Sequence, residues 1–289
     1  MDSNLAAPAG CVVTLLTDFG TADGYPAAMK GVILSLNPSV TLVDITHTIP
    51  PQDVRSAAFV LHTVHRYFPP GAVHLAVVDP GVGTGRSAVV LDTGNSFFVA
   101  PDNGLLSFVL AEHRGPAVSG IAMVDADGTV SVEIPDGWRA VRIAEPVYWL
   151  SSPSNTFHGR DILAPVAAHL SMGVPVDRFG PALSTLRAFE IPVARKLPGG
   201  GSEGSVLHVD RFGNLITSIR TEDFPRRACV VELGSHAIHG LSSSYAEGSG
   251  LTALMGSSGY LEIALPNGSA RDATGLGVGA PVRVMPGRT

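Results

Sequence analysis

The stretch VHLAVVDPGVGTGR, from Val73 to Arg86, decides the fold of this chain. Its apolar, β-branched part has the pattern of a fully buried strand. The strand pattern stops at Asp79 and opens into a glycine-rich loop that ends at Arg86, which places an acid and a base in one tight loop. A ligand site is one interpretation of this loop, and a turn with a surface Asp-Arg pair is the other.

The alternating glycines suggest a phosphate-binding cradle, but the residues that follow them do not fit one. Such a cradle needs a helix to begin where the glycines end, so that free N–H groups and the helix dipole face the anion. Here the next residues are SAVVLD (87–92), a Thr-Gly-Asn turn (93–95) and SFFVA (96–100), which predict two strands. The glycines are therefore expected to allow a sharp turn or a close approach of the backbone to a ligand.

Composition predicts an ordinary globular protein. The chain has 289 residues, which suffices for roughly two domains. Hydrophobic residues make up 45% of the chain, but no uninterrupted apolar span of about 18 residues appears, so no membrane partner is expected. The net charge of −6, without any run of Lys or Arg, argues against a nucleic-acid partner.

The cysteines and the amino terminus predict a cytoplasmic protein. Cys11 and Cys229 are far apart, and no Cys pair has zinc-site spacing, so both are expected to be reduced, buried thiols. Residues 1–11 lack the basic start and long apolar core of a secretion signal, and we predict a loose tail there.

Strand and helix patterns alternate in the first part of the chain. Buried strands are predicted at 12–18, 40–46 and 73–79, with helices that start near Pro26 and Gln52. Successive β-α-β steps predict a mostly parallel sheet with helices on both faces, which is a Rossmann-like α/β arrangement.

Two aspartates of this predicted α/β domain, residues 12–185, follow strands directly. In such sheets the ligand crevice lies outside the carboxyl ends of the strands, so Asp18 and Asp79 are expected to converge at one edge. This convergence indicates a binding site. A helix or turn cap is the alternative role for Asp18.

Further helices are predicted downstream. One covers 102–113, with Asp102 or Asn103 as its cap. Another follows NTFHGRD, ends at Gly173 and has His158 at its start. The positive end of a helix disfavours a second positive charge, so His158 is expected to be neutral and to accept a proton or a hydrogen bond. A capping or packing role is the alternative for this histidine.

The last third of the chain has a different pattern. Periodicity is lost at 186–202, where LPGGGSEG indicates a flexible linker between domains. Residues 203–289 contain short β patterns separated by Gly, Ser and Asn, without a convincing helix. We therefore predict a small carboxy-terminal β-barrel domain there. The region 117–145, by contrast, is strand-like and turn-rich, and its order is not predictable from the pattern.

Six motifs, taken together, resemble one protein family. They are TDFG (17–20), DPGVGTGR (79–86), APDNGLL (100–106), NTFHGRD (155–161), DRFGN (210–214) and SSGYLEIA (257–264). Their joint occurrence, in order from about Val12 to Val284, is similar to that in the S-adenosylmethionine hydroxide adenosyltransferases. These enzymes are related to the bacterial fluorinase and chlorinase.

The resemblance implies an α/β domain followed by a β-barrel, assembled as a homotrimer. Each active site would lie between the amino-terminal domain of one subunit and the carboxy-terminal domain of the next. The implied reaction is hydrolysis of S-adenosyl-L-methionine to adenosine and L-methionine, by attack of water or hydroxide on the 5′ carbon. Family members that use water carry an Asp-Arg-His triad, and the matching positions are Asp79, Arg86 and His158. Because S-adenosylmethionine is the substrate, neither a cofactor nor a metal is expected.

The resemblance also implies how ribose and methionine are held. Asp18 resembles the family residue that binds the ribose hydroxyls, a role suited to an acceptor with two oxygens, and Asp23 and Tyr25 would lie beside it. Asp210 and Ser257 would hold the methionine ammonium group.

The adenine contacts follow from the same resemblance. Asn214 resembles the amide that reads adenine, and backbone groups near Leu265 and Asn267 would bind the edge of the base. Phe212 is a candidate stacking surface, although a Phe is more often a core residue. The halogenating relatives carry an Arg for the methionine carboxylate where this chain has Ser258, so the anchor of that carboxylate stays open.

Three other functions are weighed against hydrolysis. A chloride-dependent adenosyl transferase is disfavoured because an anionic Asp79 would repel a halide, and because the segment between Arg86 and Asn103 is short. A non-catalytic sensor of S-adenosylmethionine or adenosine is disfavoured because all three triad positions are present. A metallohydrolase is disfavoured because no His-x-x-x-His or similar spacing is evident.

Overall fold

A computed structural model of the protein describes residues 10–114, 128–223 and 229–287. Residues 1–9 of the predicted tail and residues 117–127 of the strand-like region therefore lie outside the described residues. The chain divides into two compact units, Met1–Glu190 and Ile191–Thr289.

The first unit is built on a seven-stranded sheet. Its strands and those beside it are β1 (Val12–Thr17), β2 (Thr41–Thr46), β3 (Val73–Val77), β4 (Ala88–Asp92), β5 (Phe97–Pro101), β6 (Thr129–Glu133), β7 (Arg139–Arg142), β8 (Ala182–Leu183) and β9 (Thr185–Phe189). The sheet order is β2-β1-β3-β5-β4-β7-β8, and β6 pairs separately with β9.

This sheet is mixed in direction. Strands β2, β1, β3 and β5 are parallel to one another, which confirms the predicted β-α-β steps. Strand β4 is antiparallel to β5, because the short turn between them allows only a hairpin. The remaining strands continue in the antiparallel direction.

The described residues of the first unit form four α-helices. They are α1 (Tyr25–Leu36), α2 (Val54–Val64), α3 (Ser107–Arg114) and α4 (Ala164–Ser171); a 3-10 turn (His65–Tyr67) follows α2 and a π-helical turn (Gly159–Leu163) precedes α4. Asp53 caps α2 by accepting a hydrogen bond from the Ser56 N–H at 2.9 Å. Within the described residues, no helix is long and apolar enough to cross a membrane.

Both faces of the sheet are buried. One core contains Leu15, Leu75 and Val77 with residues of α1 and α4. The other contains Leu16 and Ala76 with residues of α2 and α3. Neighbouring residues of one strand therefore enter different cores, as expected when helices cover a sheet on both sides.

The second unit is a nearly closed, barrel-shaped antiparallel sheet. Its strands are β10 (Arg195–Lys196), β11 (Ser202–Val209), β12 (Leu215–Arg220), β13 (Cys229–Leu233), β14 (His236–His239), β15 (Thr252–Met255), β16 (Tyr260–Ala264) and β17 (Pro281–Pro286). They are arranged as β14-β13-β17-β11-β12-β16-β15, and β10 pairs with β11.

The structure differs from the sequence predictions in three elements. The predicted linker at 186–202 contains most of β9, which pairs with β6, and also β10. A short helix α5 (Ala270–Thr274) lies in the second unit, where none was predicted; the Ser269 side chain caps it. Helix α3 begins later than predicted, because Asp102 accepts the Arg187 N–H and so does not cap a helix.

Candidate active site

The loop 79–86, which we name the triad loop, holds a buried ion pair. The Asp79 Oδ2 accepts a short hydrogen bond from the Arg86 guanidinium, and its Oδ1 accepts one from the Gly81 N–H at 3.2 Å. The side chains of Asp79 and Arg86 are only 6% and 11% exposed. The surface-pair interpretation of this loop is therefore wrong, and both charged groups are positioned within the protein.

Arg86 is held from a second side. Its Nη1 donates to the Ser87 carbonyl at 2.5 Å, and the same carbonyl accepts the Asp102 N–H at 2.8 Å. Among the described residues, the buried Nε of Arg86 has no hydrogen-bond partner. Buried donors are nearly always satisfied, so this N–H is available to a ligand or a water molecule.

The start of the triad loop is fixed by Asn103. Its Nδ2 donates to the Val78 carbonyl at 2.9 Å, directly before Asp79, and its Oδ1 accepts the Leu105 N–H at 3.2 Å. Asn103 therefore caps the turn before α3 and also holds the end of the strand that carries Asp79.

Electrostatics links Asp79 to His158. Burial raises the pKa of the Asp79 carboxyl group, and it outweighs the Arg86 guanidinium, the Gly81 N–H and the charge of His158, which all act to lower it. His158, the third predicted triad residue, is therefore among the groups whose charge acts on Asp79.

Two glycines allow the segments on either side of His158 to pack closely against the triad loop and β3. A Cβ atom at Gly83, where φ is +77°, would lie 2.6 Å from the Asn155 carbonyl oxygen. A Cβ atom at Gly159 would lie 3.2 Å from Val77 Cγ1. The close approach expected of a glycine in the triad loop is therefore to the neighbouring loop before His158.

His158 precedes the π-helical turn that leads into α4. The buried Asp161 side chain anchors this turn: it accepts the Ser154 N–H at 2.8 Å and a hydrogen bond from Arg160 Nε at 2.6 Å. A π-helical turn of this kind is frequent at functional sites. The His158 side chain forms no capping hydrogen bond at this turn, so the structure does not support a capping role for this histidine.

Asp18 lies at the carboxyl end of β1, as predicted. Its Oδ2 accepts the Gln52 N–H at 2.7 Å, and Gln52 has a φ of +66°. Asp18 therefore stabilises the left-handed turn before α2 with one oxygen. Among the described residues its Oδ1 has no hydrogen-bond partner, which leaves one acceptor for a ligand hydroxyl.

An aromatic cluster, formed by Phe19, Tyr25 and Phe157, lies beside these residues. Its ring centroids are 5.2 to 5.7 Å apart, and Phe157 meets the other two rings edge to face. Tyr25 is 50% exposed, and Asp23, two residues before it, is also exposed. Sequence reasoning missed Phe19 and Phe157, although both stand in quoted motifs next to Asp18 and His158.

The second unit carries the other predicted residues, and Asp210 organises the first group. Its Oδ1 accepts the N–H groups of Phe212 and Asn214, both at 2.9 Å, and its Oδ2 accepts Asn214 Nδ2 at 2.9 Å. This turn leaves Phe212 76% exposed, so a core role for Phe212 is excluded. Asn214 is buried and has one amide hydrogen already in use.

The turn at 210–214 packs against the segment after β16. The Gly213 carbonyl accepts the Arg271 N–H at 2.9 Å, and a Cβ atom at Gly213 would overlap Ser269. Leu265 and Asn267 lie in this neighbouring segment, where Asn267 has a φ of +56°. The residues assigned to adenine are thus brought together within the second unit.

Glu262 is a buried acid that sequence reasoning missed. Its Oε2 accepts the Tyr245 hydroxyl hydrogen at 2.8 Å. Burial raises the pKa of Glu262 and Asp210 raises it further, while the pKa of Tyr245 rises to about 12. The Glu262 carboxyl group fills the space beside Gly256, where no Cβ atom would fit. It therefore packs against the residue that precedes the exposed Ser257, and the motif SSGYLEIA was its only sequence signal.

Comparisons with known proteins agree with this arrangement. Residues 13–180 match the SAM hydroxide adenosyltransferase N-terminal domain, and residues 204–283 match the C-terminal domain of that family. The chain is 40% identical to an (R)-S-adenosyl-L-methionine hydrolase of Thermus thermophilus, over 94% of this chain and 99% of the relative. It is 38% identical to a protein of that name from Salinispora arenicola, over 95% and 98% of the two chains.

A comparison with solved structures shows that a related protein has the same fold. A crystal structure of an uncharacterized conserved protein from Thermotoga maritima superposes with a TM-score of 0.79 at 33% identity, and covers 94% of this chain and 99% of its own. Both domains match in the order that the sequence motifs predicted. The chain therefore belongs to the SAM hydroxide adenosyltransferase family.

Proposed function

We propose that this protein hydrolyses S-adenosyl-L-methionine to adenosine and L-methionine by in-line attack of water or hydroxide on the 5′ carbon. One observation carries the proposal most directly: Asp79 and Arg86 form a largely buried pair with a free Arg86 Nε–H, and the segment before His158 packs against the triad loop, where a Cβ atom at Gly83 would lie 2.6 Å from the Asn155 carbonyl oxygen. The names of the relatives from Thermus thermophilus and Salinispora arenicola support the same reaction.

The chemistry suits these side chains. The sulfonium sulfur is already a good leaving group, so the protein's task is to align and activate a weak nucleophile. A bond forms between the water oxygen and C5′, and the bond from C5′ to sulfur breaks with its electron pair going to methionine. Arg86 orients the water and stabilises developing hydroxide, His158 accepts the proton, and Asp79 fixes Arg86.

Substrate binding uses both units. Asp18 accepts from the ribose hydroxyls through its Oδ1, with Tyr25 and Asp23 beside it. The exposed Phe212 offers a stacking surface for adenine. Asn214 reads the base with the donor and acceptor groups that Asp210 does not occupy, and the backbone near Leu265 and Asn267 completes this contact.

The methionine ammonium group is assigned to Asp210 and Ser257. We add the neighbouring Glu262, because a cation beside it would favour its ionised form and compensate for the cost of burying the carboxylate.

The assembly and location are part of the proposal. The family resemblance supports a homotrimer in which each site combines the first unit of one subunit with the second unit of the next. Both cysteines are free; Cys229 is buried as predicted, whereas Cys11 is only partly buried. We propose a cytoplasmic location. We propose that no cofactor takes part in the reaction.

The configuration at sulfur is also proposed. The two relatives named above are hydrolases of (R)-S-adenosyl-L-methionine, so we propose that this chain prefers the (R) epimer. The physical reason is that inversion at sulfur exchanges the directions of the methyl group and the methionine chain, and only one arrangement places C5′ in line with the water.

Labelled water tests the reaction and the epimer together. The purified protein is incubated in ¹⁸O-water with each separated epimer, with and without chloride, and products are followed by mass spectrometry. Adenosine labelled at the 5′ oxygen together with methionine is expected, faster from the (R) epimer. Chlorinated nucleoside would identify a halogenase instead, and tight binding without product would identify a sensor.

A further inference from the structure

A cluster of three side chains lies apart from the triad, which we name the His-Glu cluster: His62, His65 and Glu112. His62 is in the last turn of α2, His65 is in the 3-10 turn that follows, and Glu112 is in α3. Glu112 Oε1 lies 2.6 Å from His62 Nδ1 and 3.0 Å from His65 Nε2. One ligand atom from each residue falls within 4.8 Å of the others.

This geometry fits a transition-metal ion. Imidazole nitrogens and carboxylate oxygens bind Zn²⁺ at about 2.0 to 2.2 Å, so the ligand atoms of a tetrahedral site lie roughly 3.3 Å apart. The two nitrogens already converge on one oxygen, and their distances from it, 2.6 and 3.0 Å, would widen by roughly 0.3 to 0.7 Å to reach that spacing. The Glu112 side chain is 34% exposed, which leaves room for water as a fourth ligand.

The histidine side of the cluster is shielded from bulk solvent. The two histidine side chains are 7% and 11% exposed, which limits competition from bulk water on their side.

The cluster is remote from the triad. The His65 ring packs edge to face on His74, with ring centroids 5.9 Å apart, and His74 lies near the amino end of β3. Asp79 follows the carboxyl end of the same strand, and five residues of strand span roughly 17 Å. Hydrolysis therefore does not involve the His-Glu cluster directly.

We propose that His62 Nδ1, His65 Nε2 and Glu112 bind one Zn²⁺ ion that ties α2 to α3. The sequence expectation that no histidine spacing suits a metal overlooked the pair His62-x-x-His65. The second histidine of this pair lies beyond the α-helix, in the 3-10 turn, and the third ligand lies on a different helix. Only the fold brings them together.

Zinc binding by the full-length, tag-free and metal-stripped protein tests the proposal. Isothermal titration with Zn²⁺ is compared among wild type, His65→Gln, Glu112→Gln and the control His113→Gln, whose residue is exposed and adjacent to Glu112. Wild type and control are expected to bind one equivalent. Both cluster variants should bind at least about tenfold more weakly, because loss of a direct ligand costs no less than loss of an outer-shell partner.

Two further measurements separate loss of the metal site from loss of the fold. Circular dichroism establishes whether each variant is folded; if one cluster variant is not, the Zn²⁺ affinity of the other tests the proposal. Co²⁺ in the wild type is expected to give the intense visible absorption of a tetrahedral site, and the weak spectrum of the hydrated ion would overturn the proposal. Absence of Zn²⁺ binding by wild type, or equal binding by both cluster variants, would overturn it as well. Hydrolysis of S-adenosylmethionine should proceed equally with and without Zn²⁺.

Discussion

At the scale of single residues, the proposed mechanism assigns orientation of the water and proton transfer to different members of the triad. Arg86 is fixed by Asp79 and by the Ser87 carbonyl, so it cannot act as a mobile acid. An arginine also does not lose its proton in proteins. His158 is partly exposed and lies outside this pair of fixed contacts. We therefore propose that His158, rather than Arg86, accepts the proton.

Replacement of His158 tests that assignment. For His158→Ala we expect kcat to fall by about 10²- to 10⁴-fold, since a positioned base contributes that much, with KM almost unchanged. Steady-state kinetics and calorimetric binding of the substrate give the two quantities separately. The matched control is His169→Ala. The His169 ring lies on α4 and packs on Tyr148, away from the triad, so this change should lower the free energy of unfolding with little change in kcat. An equal loss of substrate affinity in His158→Ala would contradict the assignment.

At the scale of structural elements, the triad depends on contact between two loops. We expect Gly83→Ala to cost about 1 to 3 kcal/mol of unfolding free energy, because an alanine at a positive φ is strained. Its Cβ would also push the Asn155 backbone away, and a displacement of about 1 Å at a catalytic group costs on the order of 10²-fold in rate. Thermal unfolding and kcat/KM measure the two effects.

Gly85 provides the matched control for this prediction. It lies in the same loop, and a Cβ atom there would meet nothing within 4 Å, without a left-handed φ. Gly85→Ala should therefore retain nearly wild-type stability and activity. If Gly83→Ala behaved like Gly85→Ala, close contact of the two loops would not be needed for catalysis.

The turn that presents His158 carries its own pH dependence. Burial opposes ionisation of Asp161, but hydrogen bonds from Arg160 and Ser154 outweigh it and lower the pKa of Asp161. A lowered folded-state pKa means that the carboxylate stabilises the fold above the unfolded value of about 3.9. This contribution is lost as pH falls through the folded-state pKa.

Asp161→Asn measures that contribution. We expect the free energy of unfolding to fall by about 1 to 2 kcal/mol at pH 7, a range discounted because Arg160 is 37% exposed. The difference from wild type should shrink below about pH 4, where the carboxyl group becomes protonated first in the unfolded chain and then, as pH falls through the lowered pKa, in the folded protein. The exposed Asp177 provides a control, and Asp177→Asn should stay within about 0.5 kcal/mol of wild type. A gap that persisted at low pH would contradict the electrostatic explanation.

At the scale of the whole molecule, the candidate residues fall into two groups, one in each unit. The triad and Asp18 belong to Met1–Glu190, whereas Phe212 and Asn214 belong to Ile191–Thr289. The proposed homotrimer predicts that a complete site needs these groups from different subunits. Its mass in solution should be about three times the 29.9 kDa of one chain.

Mixed trimers distinguish a shared site from a site within one chain. His158→Ala inactivates the first unit, and Phe212→Ala weakens the second, where loss of stacking is worth about 1 to 3 kcal/mol. After subunit exchange between the two variants, about a quarter of shared sites should contain both native residues. Activity at low substrate should then exceed the mean of the two parents. Mixing His158→Ala with Asp79→Ala is the control, because both changes lie in the first unit and no site can recover.

Much of the architecture was determined by the sequence alone. Short segments of the sequence predicted the buried strands, the hairpin at 88–101 and the neighbouring positions of Asp79 and Arg86. The structure confirms these elements. Strand and turn patterns are local, because they depend on alternation of side chains and on backbone preferences of a few residues. The family resemblance also rested on short segments, the six motifs, and the matches to both family domains confirm it.

Only the tertiary structure decided which distant residues meet. The following contacts all join segments far apart in the chain: the triad loop with the segment before His158, β9 of the predicted linker with β6, Tyr245 with the buried Glu262, and the His-Glu cluster. A hydrophobic pattern indicates that a residue is buried but not which residue it contacts. Pairing across long separations depends on the packing of whole elements, so these contacts exist only once the sheet and its helices have assembled.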